Sequence, residues 1–233
     1  MRILALTIDL DDTLWPVMPA LERADRDLDN YLRQHFPQVA QTWPIPAMRE
    51  LRARVAVERV DLAHDFTAQR YLTLQRAFDA AGIAEAPLDV MWEIYATARN
   101  SVELYPDALP ALEALAGKWP VASLTNGNAD LERIGLRTHF AHHICARDMG
   151  VAKPDARIFL AAAEQLGVAP DQILHIGDDP ELDVVGARDA GLRTAWINRS
   201  GHPWPAALGP KPDLDLRDLS TLVQWLDTHH LKT

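Results

Sequence analysis

The sequence predicts an α/β fold, a doubly wound parallel sheet that carries an inserted all-helical segment. Two observations lead there. Three apolar runs of strand length, at residues 3–8, 121–125 and 173–176, each end in polar side chains, as strands buried on both faces of a parallel sheet do. Between the first run and the second the strand signal vanishes, and residues 15–104 show helical periodicity only.

The first strand leads into Asp9-Leu10-Asp11-Asp12-Thr13. Successive strand side chains face opposite sides, so Asp9 and Asp11 are expected on one side and Leu10 on the other. Two carboxylates held that close repel, and one protonates unless something positive lies between them. An all-oxygen donor set points to magnesium. Beyond Trp15, Leu21, Ala24, Leu28 and Leu32 mark an amphipathic helix broken near Pro37. Met48, Leu51 and Val55 start a second helix. Asp65 reads as the N-cap of a third, with Phe66, Leu74 and Phe78 on its face and Gly82 near its stop. Leu88, Met91, Trp92 and Tyr95 mark a fourth. Four helices without a strand read as a helical domain, residues 15–104, inserted into a sheet domain made of 1–14 and 105–233.

From Tyr105-Pro106 the alternation of helix and strand resumes. A helix over 108–116 stops at Gly117, and the strand 121–125 closes in Thr125-Asn126-Gly127. A helix is expected over 131–140 and a weaker strand over 142–146. Lys153-Pro154-Asp155 opens a helix through Leu166, with proline near the start, where its missing N–H is not needed. The strand 173–176 runs into Gly177-Asp178-Asp179-Pro180-Glu181-Leu182-Asp183. A helix over 184–190 stopped at Gly191, a strand over 194–197, a proline-rich loop over 203–212, the segment Leu214-Asp-Leu216 and a helix 219–226 complete the chain.

Composition narrows the function. A net charge of −10 opposes non-specific nucleic-acid binding, whose affinity comes from neutralised phosphates, so no nucleic-acid partner is expected. The single cysteine, Cys145, excludes an intrachain disulfide and suits a reducing cytoplasm; it reads as a small buried apolar residue. The N-terminal apolar run has no small-residue cleavage site and no segment reaches bilayer length, so neither a signal peptide nor a membrane partner is expected. Monomer and dimer are equally compatible with the patterning. No Gly-x-x-x-x-Gly-Lys loop occurs, which removes P-loop nucleotide chemistry. The aromatics Trp15, Trp43, Phe66, Tyr71 and Trp92 read as core residues at helical spacing, and the histidine pairs 142–143 and 229–230 receive no function.

Asp9/Asp11, Thr125/Asn126 and Asp178/Asp179 all fall at the carboxyl ends of buried strands, the edge where open α/β sheets bind ligands. Lys153 can bring an ammonium to the same rim. Each alone reads equally well as a turn, a cap or a solvated lysine, but together they form an acid cluster with a cation and a hydroxyl.

The motifs Asp9-x-Asp11-x-Thr13, strand-end Thr125, Lys153-Pro154 and Gly177-Asp178-Asp179-x-x-x-Asp183 resemble, in order, the four motifs of the haloacid dehalogenase superfamily, whose core is Rossmann-like. The helical insert resembles its C1 cap. Within the superfamily, Asp9-Leu-Asp-Asp-Thr-Leu14, Leu124-Thr-Asn-Gly-Asn128 and Leu174-His-Ile-Gly-Asp-Asp179 look like a bacterial phosphatase group. That group acts on flavin mononucleotide and on the phosphorylated ribitylaminouracil of riboflavin biosynthesis. The segment His64-Asp65-x-Thr67-x-x-Arg70 shares less with it.

The resemblance implies a magnesium-dependent phosphatase acting on small-molecule phosphate monoesters. In it Asp9 attacks phosphorus and carries an aspartyl-phosphate. Asp11 is the general acid and base. Asp9, the main-chain carbonyl of Asp11, and Asp178 hold Mg2+. Thr125, Asn126 and Gly127 bind the phosphoryl group, Lys153 offsets its charge, and Arg70 reaches the substrate. Asp179 and Asp183 orient metal-bound water or Lys153. Asp12 departs from the superfamily pattern, where glycine is commonest, which leaves the backbone after Asp11 undetermined. Two alternatives stand: a haloacid dehalogenase, and a non-enzymatic phosphate-responsive regulatory module. Dehalogenases lack an acid at the position of Asp11, because displacing halide needs no proton donor; its presence here points to phosphate.

Overall fold

The computed structural model describes residues 2–230. In chain order its elements are β1 (Ala5–Ile8), the helices α1 (Val17–His35), α2 (Pro37–Thr42), α3 (Ile45–Glu58), α4 (Phe66–Ala80) and α5 (Leu88–Arg99), then α6 (Ala108–Ala116) and β2 (Val121–Thr125). They continue through α7 (Leu131–Ile134), β3 (His142–Cys145), α8 (Ala146–Met149), α9 (Ala156–Leu166), β4 (Ile173–Gly177), α10 (Gly186–Asp189), β5 (Arg193–Ile197), β6 (Leu214–Leu216) and α11 (Leu219–His230). The chain divides into two compact units. One holds the chain up to Pro16, Glu103–Gly127 and everything from Gly135; the other holds Val17–Val102 together with Asn128–Ile134.

The first unit is built on a six-stranded sheet in the order β3-β2-β1-β4-β5-β6, every pairing parallel. It is a doubly wound α/β fold. Parallel strands need helical crossovers, which is why β1, β2 and β4 are buried at every position. Leu124, Ile144, Ile158, Phe159 and Ile173 form one cluster of this core, each of the large side chains contributing about 1.5–3 kcal/mol by leaving water. The chain runs outward from β1 through β2 to β3, then returns to the other side of β1 with β4. The order therefore reverses between β1 and β4, and a crevice opens beyond their carboxyl ends.

The second unit is helical. Leu28 and Leu32 of α1, Val39 of α2, Leu74 and Phe78 of α4 and Met91 of α5 pack as one cluster. Asp65 caps α4 by accepting from the Ala68 N–H at 2.9 Å, the arrangement its sequence position suggested. No helix among the described residues is long and apolar enough to cross a membrane.

Several expectations need correction. The helical segment contains five helices among the described residues rather than four, because Pro37 both ends α1 and opens α2, where a missing N–H costs nothing. The helix expected over 131–140 breaks at Gly135, which takes a left-handed φ of 82°, leaving α7 and a single 3-10 turn at Arg137–His139. Residues 128–134 cluster with the helical unit, although the sequence placed them in the sheet domain. Pro154 precedes α9 instead of lying inside it; Asp155 is the N-cap, accepting from the Arg157 N–H at 2.9 Å. The helix expected over 184–190 starts earlier, as a wide π-helical turn at Pro180–Val185 that continues into α10.

Candidate active site

β1 ends at Ile8, one residue before Asp9, so strand alternation does not extend to Asp11. Instead the chain turns. Leu14 N–H donates to the Leu10 carbonyl at 2.8 Å, and Asp12 N–H to the Trp15 carbonyl at 2.7 Å. Asp12 closes this turn with a φ of 59°, a left-handed conformation that aspartate tolerates better than most residues. That settles the backbone at the position where the superfamily commonly has glycine. Asp9 joins the sheet-end cluster, and Asp11 Oδ1 accepts the Trp15 indole N–H at 2.8 Å.

Asp9, Asp178 and Asp183 form the cluster, with one carboxylate oxygen from each lying within 4.8 Å of the others. Lys153, 5% exposed, reaches between two of them, its Nζ at 2.5 Å from Asp9 Oδ1 and 2.6 Å from Asp183 Oδ1. The Thr13 hydroxyl stands 3.2 Å from Asp178 Oδ1 and 3.4 Å from Asp9 Oδ2, linking β1's exit to β4's. The Trp196 indole N–H holds the Asp178 carbonyl at 2.7 Å.

Three acids around one ammonium leave an excess of negative charge, and the proton affinities show where it falls. Burial pushes the Asp9 carboxyl well above its ordinary value; Lys153 opposes this, and Asp183 and Asp178 add to it. Burial likewise pushes Asp178 up to about 7, helped by the charges of Asp183 and Asp12. Asp183 goes the other way. Burial alone would raise it, but the Lys153 ammonium and the His175 N–H outweigh that and hold it well below the carboxylate range. Lys153 rises because Asp183 and Asp9 overcome the cost of burying it.

Asp183 is thus the ionised partner of Lys153, and both its oxygens are engaged. Oδ1 meets Lys153 and His175 Nε2, the latter at 3.1 Å, and Oδ2 accepts the Asp179 N–H at 3.0 Å. Asp9 and Asp178 are the carboxylates that a divalent cation would relieve. An oxygen-only donor set with two acids pushed toward protonation fits a magnesium ion.

Asn126 has a role that the sequence did not reveal. Its side-chain Nδ2 donates to the Lys153 carbonyl at 2.9 Å, and its Oδ1 accepts the Lys153 N–H at 2.7 Å, so the amide clamps the lysine backbone from both sides. Thr125, 1% exposed at the end of β2, accepts the Gly127 N–H on its Oγ1 at 2.9 Å. The N–H of Gly127, a residue expected to bind the phosphoryl group, is therefore engaged within the turn. Asp179 Oδ1 accepts from the Glu181 and Leu182 N–H groups, both at 2.8 Å. It caps the following turn and meets Asp183 through its main-chain N–H.

Arg70 belongs to the helical unit. It is 4% exposed within the helical unit, over the Tyr95 ring at 3.9 Å and 3.4 Å from Asp25 Oδ1, so its guanidinium serves that unit's interior. Trp15 is fully buried, and Trp92 packs on Tyr71 and Tyr95, in keeping with their reading as core. Sequence reasoning overlooked His175, which joins Thr7 Oγ1 at 2.9 Å to Asp183. A polar residue inside a fully buried strand was the available signal. Gly177, named above only within a motif, has a steric reason: a Cβ there would stand 2.3 Å from Asp183 Cγ and Oδ2, so only glycine admits Asp183 to the cluster.

A family profile described as haloacid dehalogenase-like hydrolase matches residues 3–191. The 5-amino-6-(5-phospho-D-ribitylamino)uracil phosphatase YigB of Escherichia coli is 31% identical over 97% of this chain and 97% of its own. A phosphoserine phosphatase of Thermus thermophilus is 31% identical over 92% of this chain and 95% of its own. A crystal structure described as a 2-haloacid dehalogenase from Pseudomonas syringae pv. tomato DC3000 superposes with a TM-score of 0.90 at 35% identity, covering 97% of this chain and 99% of that one. The chain belongs to the haloacid dehalogenase-like hydrolases.

Proposed function

We propose that this hydrolase is a magnesium-dependent phosphatase of small-molecule phosphate monoesters in the cytoplasm, working through an aspartyl-phosphate on Asp9. One observation carries the reading: Asp9 is held by Lys153 and linked through Thr13 to Asp178, while a second acid, Asp11, accepts the Trp15 indole N–H. A nucleophile and a separate proton carrier are what two-step phosphoryl transfer requires.

Asp9 attacks phosphorus as the bond to the ester oxygen breaks, and Asp11 gives its proton to that oxygen. Water then attacks phosphorus, Asp11 takes the proton back, and the bond to Asp9 breaks to release phosphate. Thr125 and the main-chain amide of Asn126 donate to the phosphoryl oxygens, and Lys153, fixed by Asn126 and Asp183, offsets their charge. Asp9, Asp178 and the Asp11 carbonyl would hold magnesium, which neutralises phosphate charge and keeps Asp9 ionised. The helical unit is the cap that sets substrate choice. Similarity to the Escherichia coli phosphatase supports the phosphorylated ribitylaminouracil as the ester hydrolysed, and the motif resemblance adds flavin mononucleotide.

A second reading, haloacid hydrolysis, is favoured by the 35% identity to the Pseudomonas syringae protein. One panel separates them: phosphate release from flavin mononucleotide, nucleoside monophosphates, sugar phosphates and phosphoserine, with magnesium and with chelator, beside chloride release from 2-chloropropionate. Magnesium-dependent phosphate release without chloride release is expected. Chloride release that persists in chelator would replace the proposal with the second reading.

A further inference from the structure

We infer that His175 is a positioning residue for phosphoryl transfer: held by Thr7, its imidazole fixes the carboxylate of Asp183, which sets where the Lys153 ammonium stands. The inference deepens the proposed phosphatase reading and rests on Lys153 offsetting phosphoryl charge there.

Thr7 and His175 are partners in the register of β1 and β4, and each is the only polar side chain of its strand. Both are fully buried. Replacing both members of such a pair by apolar groups of the same shape is often neutral for stability, so the fold alone does not require them. Their contacts supply another reason. His175 Nδ1 meets Thr7 Oγ1 at 2.9 Å and Nε2 meets Asp183 Oδ1 at 3.1 Å, while Phe159 packs edge-to-face on the ring with centroids 5.1 Å apart. A carboxylate oxygen only accepts, so the hydrogen of the second contact lies on Nε2. The Thr7 hydroxyl can donate or accept, and satisfies Nδ1 in either case. Asp183 Oδ1 therefore divides between two donors, His175 Nε2 and the Lys153 ammonium at 2.6 Å. Lys153 in turn divides between Asp183 and Asp9. Without the imidazole donor, Oδ1 is left wholly to Lys153, and the ammonium moves toward Asp183 and away from Asp9. Strand alternation puts Gly177 on the same side as His175, so one face of β4 supplies both the donor for Asp183 and the gap that admits it.

The test sets hydrogen bonding against packing. His175→Phe keeps a ring against Phe159 and removes the donor, whereas His175→Gln gives up the ring but can place an amide N–H where Nε2 stands. Losing a group that orients an active-site side chain costs roughly 10- to 100-fold in activity, so His175→Phe should lower kcat by about that factor on the ester turned over fastest, with KM changing less. His175→Gln should recover most of the loss although it is the less stable protein in urea. A packing role predicts the opposite order, with activity following stability. Wild-type kcat in His175→Phe, or an equal loss in both variants, would overturn the inference. Replacing His175 by 3-thienylalanine, a five-membered ring without an N–H, should reproduce the loss and decides the matter if the larger phenyl ring folds poorly. In an Asp183→Asn background His175→Phe should add no further loss, and a full additional loss there would refute action through Asp183. A wild type that releases no phosphate from any ester refutes the phosphatase reading by itself, and crystal structures then decide the positioning. Lys153 Nζ should lie nearer Asp183 and further from Asp9 in His175→Phe than in the wild type or His175→Gln; an unmoved ammonium would overturn the inference.

Discussion

Gly177→Ala tests whether the close seat of Asp183 holds the catalytic lysine. Gly177 ends β4, and a Cβ there would lie 2.3 Å from Asp183 Cγ and Oδ2 and 2.6 Å from its Cβ. Ordinary contact begins at 3.4 Å, so either Asp183 or the strand end must retreat by about 1 Å. Overpacking of this kind costs about 1–3 kcal/mol. If Asp183 gives way, its 2.6 Å bond to Lys153 stretches and the ammonium shifts toward Asp9. Misplacement of a catalytic group by about 1 Å lowers kcat on the order of 100-fold. Urea denaturation should report the first effect and steady-state phosphate release the second, with KM changing less than kcat. Wild-type stability together with wild-type kcat would show that the cluster tolerates a displaced Asp183, and the assignment of Lys153's position to Asp183 would fall.

Three further outcomes are expected. Lys153→Met leaves the buried carboxylates of Asp9 and Asp183 without their cation and should cost about 3–5 kcal/mol by chemical denaturation, along with most activity. The Asp178 carboxyl sits near 7 when folded and lower when unfolded, so it stabilises the cation-free fold in acid and that contribution is lost as pH rises from about 4 to about 7. Asp183, depressed in the fold, contributes oppositely: its share is present above the ordinary carboxylate range and lost on acidification through that range and below. Melting in chelator should therefore show a decline toward neutral pH that Asp178→Asn flattens, and magnesium should raise the melting temperature of the wild type at pH 7 but not of Asp178→Asn. Arg70→Ala should destabilise the helical unit by about 2 kcal/mol, from the loss of a desolvated cation–π contact, and change kcat/KM in parallel across esters rather than for one.

What the sequence showed and what it hid divide along physical lines. Buried strands announce themselves as apolar runs, and their polar ends name the rim, so Asp9, Thr125 and Asp178 were legible one strand at a time. Lys153 was legible only as a cation near that rim. Its clamp by Asn126 spans 27 residues of sequence and depends on the register of two loops, which no local pattern encodes. Strand alternation does not reach Asp11, because β1 stops at Ile8 and the chain turns through a left-handed Asp12. Asp179 looked equivalent to its neighbours because a capping carboxylate and an orienting one have the same sequence; only the two N–H groups at 2.8 Å tell them apart. Arg70 was named for substrate by resemblance alone, and its enclosure by Tyr95 and Asp25 depends on packing between helices that no local pattern encodes.

The central claim is that Asp9 carries the phosphoryl group, and acid quenching during turnover of a 32P-labelled ester tests it most directly. Label bound covalently to the protein, labile to base, mapped to Asp9 and missing from Asp9→Asn is the predicted result. Label on another residue, or Asp9→Asn releasing phosphate at the wild-type rate, would contradict it.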